Sequence, residues 1–170
     1  MRAHLRPARP GDVAAIHALV RELAAYERLT DMLVATEDDL RDALFGPQPV
    51  IECLLAEISE EVVGYALFFH NYSTFLGRRG LYLEDVYVKP SARGHGLGQA
   101  LLHALARIAV QRNCGRVEWT VLDWNQPAID FYEAQGADVL PEWRVVRMTG
   151  EALQRFAASV PKHQLLDQRS

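Results

Sequence analysis

Cysteine is scarce in this chain. Only Cys53 and Cys114 occur in 170 residues, too few and too casually spaced for a disulfide framework or a zinc site, so a reducing, cytoplasmic setting is expected. Both are read as packing or surface residues. Lysine is also rare: of 18 basic residues all but Lys89 and Lys162 are arginine, a bias of composition that points to no function. Positive charge is in deficit, with a formal net charge of −4 and a pI near 5.8. No basic patch of the kind that phosphate backbones require stands out, so nucleic acid is not an expected partner, while a cationic ligand is tolerated. Long apolar runs are missing too. The amino-terminal MRAHLRPARPGD lacks a signal-peptide core, and nowhere does an uncharged run approach the roughly 20 residues of a membrane span. The six histidines show no metal-ligand spacing, so no metal is expected. Repeats, low-complexity stretches and linkers are absent as well. The chain therefore reads as one domain over residues 1–160 with a polar tail at 161–170.

What is present is a regular succession of patterns. A short strand at His4 to Pro7 leads to Asp12 as N-cap of a helix with Val13, Ile16, Val20 and Leu23 on its core face. Thr36 and Asp39 form a variant capping box for a second helix, which Gly46-Pro47 stops. VIECLLAEI and VVGYALFFH, parted by Ser59-Glu60-Glu61, read as a hairpin, and NYSTFLGRRG as a long polar loop. LYLEDVYV is a third strand of that kind. The glycine turn RGHGLG at 93–98 follows, then a helix with Leu97, Leu101, Leu105 and Ile108 as its stripe. RVEWTVL is a further strand, NQPAIDFYEAQG a helix with Gly136 in C-cap position, and WRVVRM a last strand. The class is α+β.

Three glycines between an apolar strand and an apolar helix need a reason, because glycine inside an element costs conformational entropy. The unpaired N–H groups of a helix's first turn, with the helix dipole behind them, make an anion site, and Gly94, Gly96 and Gly98 would let a pyrophosphate approach the backbone. Arg93 adds a charged contact. By itself the pattern equally suits a turn that only packs a helix on a sheet. A dinucleotide fold would need repeated βαβ units and an acid at the right spacing, where Asp123 falls too late, and a P-loop would need Gly-Lys-Ser/Thr; neither is met.

YLEDVYV, then RGHGLG, then DWNQPAIDFYEAQGA together resemble the GCN5-related N-acetyltransferase superfamily, and with ELAAYE the diamine (spermidine/spermine) and thialysine acetyltransferase branch. The resemblance runs from LRPARPGD to WRVVRM. It implies a mixed, mostly antiparallel central sheet flanked by helices, with acetyl-CoA as co-substrate. It implies that the backbone of Val86, Tyr87 and Val88 pairs with the pantetheine arm. Arg93, Gly94, His95, Gly96, Leu97, Gly98 and Gln99 would hold the pyrophosphate, with Asn125, Gln126, Pro127 and Ala128 further along the groove. From spacing alone Asn125 is as well explained as an N-cap, and His95 as a solvent-facing loop residue.

Tyr132 matches the family's proton donor to the departing thiolate and contacts the cofactor; on periodicity alone it suits a core stripe with Ile129 and Phe131. Glu84 matches the carboxylate that binds the acceptor amine and takes its proton, an obligatory step because a protonated amine cannot attack a carbonyl. Read on the residues, Glu84 and Asp85 lie mid-strand, where an unpaired buried carboxylate is disfavoured, so an ion pair with an arginine is the other account of Glu84. Strict alternation places Tyr82, Glu84, Val86 and Val88 on one face and Leu83, Asp85 and Tyr87 on the other. Tyr26, Glu27, Glu118, Trp119 and Thr120 match acceptor-contacting positions, although a helix-end Glu27 is ordinarily solvated surface.

One departure from the polyamine pattern is visible. Ser73 and Phe75, followed by Arg78-Arg79, stand where polyamine enzymes carry an acid and a tryptophan. Less negative charge disfavours a long polycation and suits a shorter amine carrying its own carboxylate. The expected activity is direct acetyl transfer to a primary amine of a small cationic acceptor, a diamine, polyamine or thialysine-like amino acid. A protein or peptide amine and a non-catalytic acyl-CoA sensor are the alternatives. A homodimer is implied by the family, and exposed Phe75 and Trp143 would be compatible with it.

Overall fold

The computed structural model describes residues 3–159. The chain divides into two compact units, Met1–Trp124 and Asn125–Ser170.

The first unit is built on a five-stranded sheet in the order β1-β2-β3-β4-β5. Its strands are β1 (Ala3–Pro7), β2 (Glu52–Ile58), β3 (Glu61–Ser73), β4 (Arg78–Val88) and β5 (Val117–Glu118). The first four pair antiparallel, and β5 returns parallel to β4 after helix α3 (Leu97–Gln111). The helix is what a parallel return requires, since a tight turn cannot reverse the chain twice. On one face Leu97, Leu101, Leu105 and Ala109 of α3 pack against Leu54, Ala66, Phe68, Leu81 and Leu83. On the other, Ile16, Leu19 and Leu23 of α1 (Val13–Tyr26) and Leu44 of α2 (Glu37–Phe45) meet Leu55, Tyr65 and Leu67. Each large apolar side chain buried here contributes on the order of 1.5–3 kcal/mol. In the α1 stripe Leu19 is buried and Val20 only half-buried; in α3 Ala109 is buried where Ile108 was expected.

Local chemistry explains most boundaries. Thr36 and Asp39 form the capping box, Thr36 Oγ1 accepting from the Asp39 amide at 3.2 Å while Asp39 Oδ2 accepts from the Thr36 amide at 2.8 Å. Asp12 stands at the head of α1 but does not cap it. Its carboxylate instead accepts from the Arg9 amide at 2.7 Å and from both terminal nitrogens of Arg6 at 2.7 and 2.8 Å, because a short 3-10 turn, Pro10–Asp12, precedes the helix. Arg6 also donates through Nε to Glu57 Oε1 at 2.7 Å, tying β1 to β2.

The segment expected as a long loop at NYSTFLGRRG is largely strand. β3 and β4 pair out to Ser73 and Arg78, leaving only a short turn that Gly77, at φ 64, helps to close. RVEWTVL contributes just the two residues of β5. β5 pairs β4 only at Leu81↔Val117 and Tyr82↔Glu118, so it leaves the β4 edge from Leu83 onward uncovered.

The second unit contains α4 (Gln126–Ala134) and α5 (Gly150–Ser159). Gly136, at φ 88, lies one position past the Gln135 C-cap. WRVVRM is not a strand: residues 143–148 have no regular structure. Val145 and Val146 supply strand-like side chains, but no neighbouring strand meets this segment among the described residues, and a strand without a ladder leaves its backbone groups to water. α5 was not expected from the sequence. The tail expected at 161–170 lies outside the described residues.

Candidate active site

β4, the glycine turn and α3 form one continuous device. Gly94 and Gly96 have φ of 78 and 72, left-handed conformations that other residues adopt only with strain. A Cβ at either would meet nothing within 4 Å. The glycines therefore answer to backbone conformation, and the space above them is open. Gly96 is the N-cap of α3 with no side-chain cap bond, and no acidic side chain lies in the first turn. Leu97, Gly98 and Gln99 form that turn, whose amides carry the positive end of the helix dipole. These residues fit a pyrophosphate. His95 is exposed, as expected of a solvent-facing loop residue, and its Nδ1 lies 3.0 Å from the Arg93 carbonyl and 3.3 Å from that of Ala92, so Nδ1–H is the donor and the ring braces the turn.

Val86 and Val88 pair with Ala66 and Gly64 of β3 on one edge, while the other edge is the part that β5 leaves. An extended amide chain can add there as one more strand. Gly64 permits the close pairing, since a Cβ there would come within 2.9 Å of the Tyr87 carbonyl oxygen.

The sheet register changes at the carboxylates. Leu67 pairs with Asp85 and Phe68 with Leu83, so Glu84 is the extra residue of a β-bulge. Strict alternation therefore fails here: Leu81, Leu83, Val86 and Val88 all pack toward α3, while Tyr87 packs toward α1. Glu84 is exposed. Asp85 is the carboxylate that goes inward, accepting from Tyr65 Oη at 3.2 Å. Desolvation, then the negative charges of Glu84 and Glu27, push its carboxyl up to about 6, against the pull of the Tyr65 hydroxyl. Burial alone raises Glu27 above the ordinary carboxylate range. Three acids thus share one field at the end of α1 and the middle of β4. The sequence marked Glu27 and Glu84; Asp85 and its partner Tyr65 were missed as site residues, because only the bulge and the second core layer reveal which acid is buried.

Arg93 closes the wall between these acids and the glycine turn. Its Nε donates to the Val88 carbonyl at 3.0 Å, and its guanidinium lies 5.2 Å from the Tyr26 ring centre and 5.6 Å from that of Tyr87. Tyr26 in turn stands 6.4 Å from Trp124, over which Arg28 lies at 5.0 Å. Tyr87 Oη donates to Glu22 Oε2 at 3.1 Å. Glu118 is engaged by Arg116 Nε at 2.9 Å and Asn71 Nδ2 at 3.0 Å; Trp119 is half-buried and Thr120 exposed. Arg78 donates to Asn113 at 3.2 Å. It lies six positions along β4 from Glu84, about 20 Å within one copy of the chain, too far to weaken the negative field at Glu84.

In the second unit Asn125 is the N-cap of α4, its carbonyl accepting from Ala128 and Ile129 at 3.1 Å each, with no side-chain cap bond. Gln126, Pro127 and Ala128 form the first turn, and Pro127 sits where a missing N–H costs nothing. Tyr132 lies on α4 with its ring centre 5.6 Å from that of Phe131.

An antiparallel sheet with one parallel return, a strand edge left open beside a carboxylate cluster, and a glycine turn feeding an uncapped helix fit the class of acyl-CoA-dependent acyltransferases that the comparisons identify. The chain belongs to the Acetyltransferase (GNAT) family, which its residues 13–137 match, and it is an acetyl-CoA-dependent N-acetyltransferase. It is 42% identical over 164 residues to a thialysine N-epsilon-acetyltransferase of Bos taurus, covering 90% of this chain and 96% of that protein. To the L-ornithine N5-acetyltransferase NATA1 of Arabidopsis thaliana it is 37% identical, covering 91% and 87%. Among solved structures, an integron cassette protein from the mobile metagenome of V. cholerae superposes with a TM-score of 0.78 at 27% identity, covering 94% of this chain and 99% of that one.

Proposed function

We propose that the enzyme transfers acetyl directly to a primary amine of a small cationic acceptor, a diamine, polyamine or lysine-like amino acid. The observation that carries this reading is the field shared by Glu27, Glu84 and Asp85 beside the open β4 edge. Relatives that act on thialysine and L-ornithine support it.

Acetyl-CoA supplies the activated thioester. The backbone of Val86, Tyr87 and Val88 holds its arm and residues 93–99 its pyrophosphate; Asn125, Gln126, Pro127 and Ala128 are also assigned to cofactor binding. Glu84, exposed on the bulge, binds the incoming ammonium and takes its proton toward water. Asp85, ionised above about pH 6, reinforces the negative field at a basicity suited to neutral pH. Tyr26, Glu27 and the 118–120 segment contact the acceptor. Tyr132 donates its proton to the departing thiolate, and no covalent enzyme intermediate forms. The working form is a cytoplasmic homodimer of one domain spanning 1–160.

The test is CoA release from acetyl-CoA over diamines, spermidine, spermine, thialysine, lysine, ornithine, an aminoglycoside and short peptides, with wild type and Tyr132→Phe. Saturable turnover on small amines is expected, with Tyr132→Phe lowering kcat about 10²-fold or more while CoA still binds. Turnover on peptides alone overturns the acceptor class, and an unchanged rate in Tyr132→Phe removes that residue as the acid.

A further inference from the structure

The layer between the sheet and α1 is apolar except for Cys53 and two tyrosines. Tyr87 sends its hydroxyl to Glu22 on α1. Tyr65 has no such exit: it is fully buried in the layer that Ile16, Leu19, Leu55 and Leu67 form. A hydroxyl sealed in apolar surroundings is costly unless it finds a partner. Tyr65 Oη finds Asp85 Oδ2 at 3.2 Å, its one hydrogen bond among the described residues. Strand register brings the two together. Asp85 stands opposite Leu67, so Tyr65, two residues along β3, is its diagonal neighbour within reach of an aromatic side chain. The extra residue at Glu84 leaves Glu84 exposed and turns Asp85 to the buried face.

The groups that face Asp85 from the surrounding elements give this hydroxyl no rival. Glu84 on β4 and Glu27 at the end of α1 are acids that oppose its charge. On β2 the Cys53 thiol is pushed up to about 12 by burial and then by the charges of Asp12 and Asp85, so it stays neutral. Helix α2 meets the layer with Leu44, which is apolar. Arg93 is occupied elsewhere, its guanidinium over the rings of Tyr26 and Tyr87 and its Nε on the Val88 carbonyl. Burial and the two acids push the Asp85 carboxyl up, and the Tyr65 hydroxyl pulls it down. Burial and the charge of Asp85 hold the phenol far above its ordinary range, so Tyr65 remains a donor.

Resting on the small-amine reading above, we propose that Tyr65 is a positioning residue of the acceptor site: by holding the Asp85 carboxylate it keeps a negative charge beside Glu84 for the incoming ammonium at neutral pH. Tyr65 is itself sealed from acceptor and cofactor and acts only through Asp85. Without the hydroxyl, Asp85 takes up a proton at a higher pH, and Glu84 loses its reinforcement.

The test is Tyr65→Phe, which removes one oxygen and keeps the ring, assayed with 1,5-diaminopentane from about pH 5.5 to about pH 9. The ratio of variant to wild-type kcat/KM cancels the titration of the amine, so its pH dependence belongs to the enzyme. Losing the hydrogen bond should move the Asp85 titration up by about one unit. The ratio should then be about fivefold down near pH 6, mainly through KM, and return toward one by about pH 9. A merely structural loss would lower it equally at every pH. Carboxyl NMR titration of Asp85 in both proteins should show the same shift with no acceptor present. Asp85→Asn, which leaves the hydroxyl an oxygen to bond, is the second background: adding Tyr65→Phe to it should produce no further pH-dependent loss. A pH-independent ratio, an unmoved Asp85 titration, or the same pH-dependent loss in the Asp85→Asn background overturns the role of Tyr65 while leaving small-amine acetylation standing. No turnover by wild type on any small amine overturns both readings.

Discussion

Asp85 holds its carboxyl against the Tyr65 hydroxyl, on the side of the sheet that faces α1, and this gives the residue a measurable signature. Its folded-state pKa of about 6 lies above the ordinary 3.8, so between those values the folded chain keeps a proton that the unfolded chain has released. Stability from this group is therefore fully present below about pH 4 and lost as pH rises through about 6. The difference of roughly two units corresponds to at most about 3 kcal/mol. Asp85→Asn, which keeps the shape without the charge, is expected to melt higher than wild type at about pH 8, with the gap closing toward about pH 4. A constant gap across that range would show that the Asp85 carboxyl is not held protonated by the fold. His70 is a second residue whose state the geometry fixes. Its Nδ1 bonds the Gly80 carbonyl at 3.0 Å and must carry the hydrogen, leaving Nε2 to accept from Arg112 at 2.9 Å, where Arg112 also grips Glu52 at 2.6 and 2.8 Å. This cluster ties β2 and β3 to the end of α3, and it explains one scattered histidine without chemistry.

At the scale of elements, the strand, glycine turn and helix carry the cofactor argument, and their test is conformational. Gly96→Ala places a Cβ in open space but holds a left-handed backbone at φ 72, which costs an L-residue about 1–2 kcal/mol. The expected outcome is a loss of stability of that size together with weaker CoA binding, since the turn relaxes away from the geometry that aims its amides. Unchanged melting and unchanged CoA affinity would show that the turn has no such demand. Much of this element was legible beforehand, because glycine spacing and apolar periodicity are local signals. The bulge at Glu84 was not. Alternation counts residues, and an inserted residue shows only when the partner strand's register is known. The last strand failed for a related reason: two valines and a tryptophan make a strand-like pattern, but pairing is a property of two segments. The turn at Ser59 and Glu60, with φ of 50 and 68, was placed correctly without glycine because apolar runs bracket it.

On the scale of the whole molecule, electrostatics separates the two kinds of acceptor. The chain carries a net charge of −4, and Glu27, Glu84 and Asp85 concentrate negative potential at the proposed acceptor site. Such a field draws cations in and weakens as salt screens it, the Debye length falling from about 30 Å at 0.01 M to about 3 Å at 1 M. A diamine arrives with charge of about +2, a lysine-like amino acid with a net charge of about +1, and the steering term scales with that charge. kcat/KM for 1,5-diaminopentane should therefore fall with added salt about twice as steeply, on logarithmic axes, as kcat/KM for L-lysine. The preference for L-lysine over the diamine should thus widen as salt rises. Parallel salt slopes for the two acceptors would mean that the enzyme senses only the reacting ammonium and that the global field does not distinguish what lies behind it.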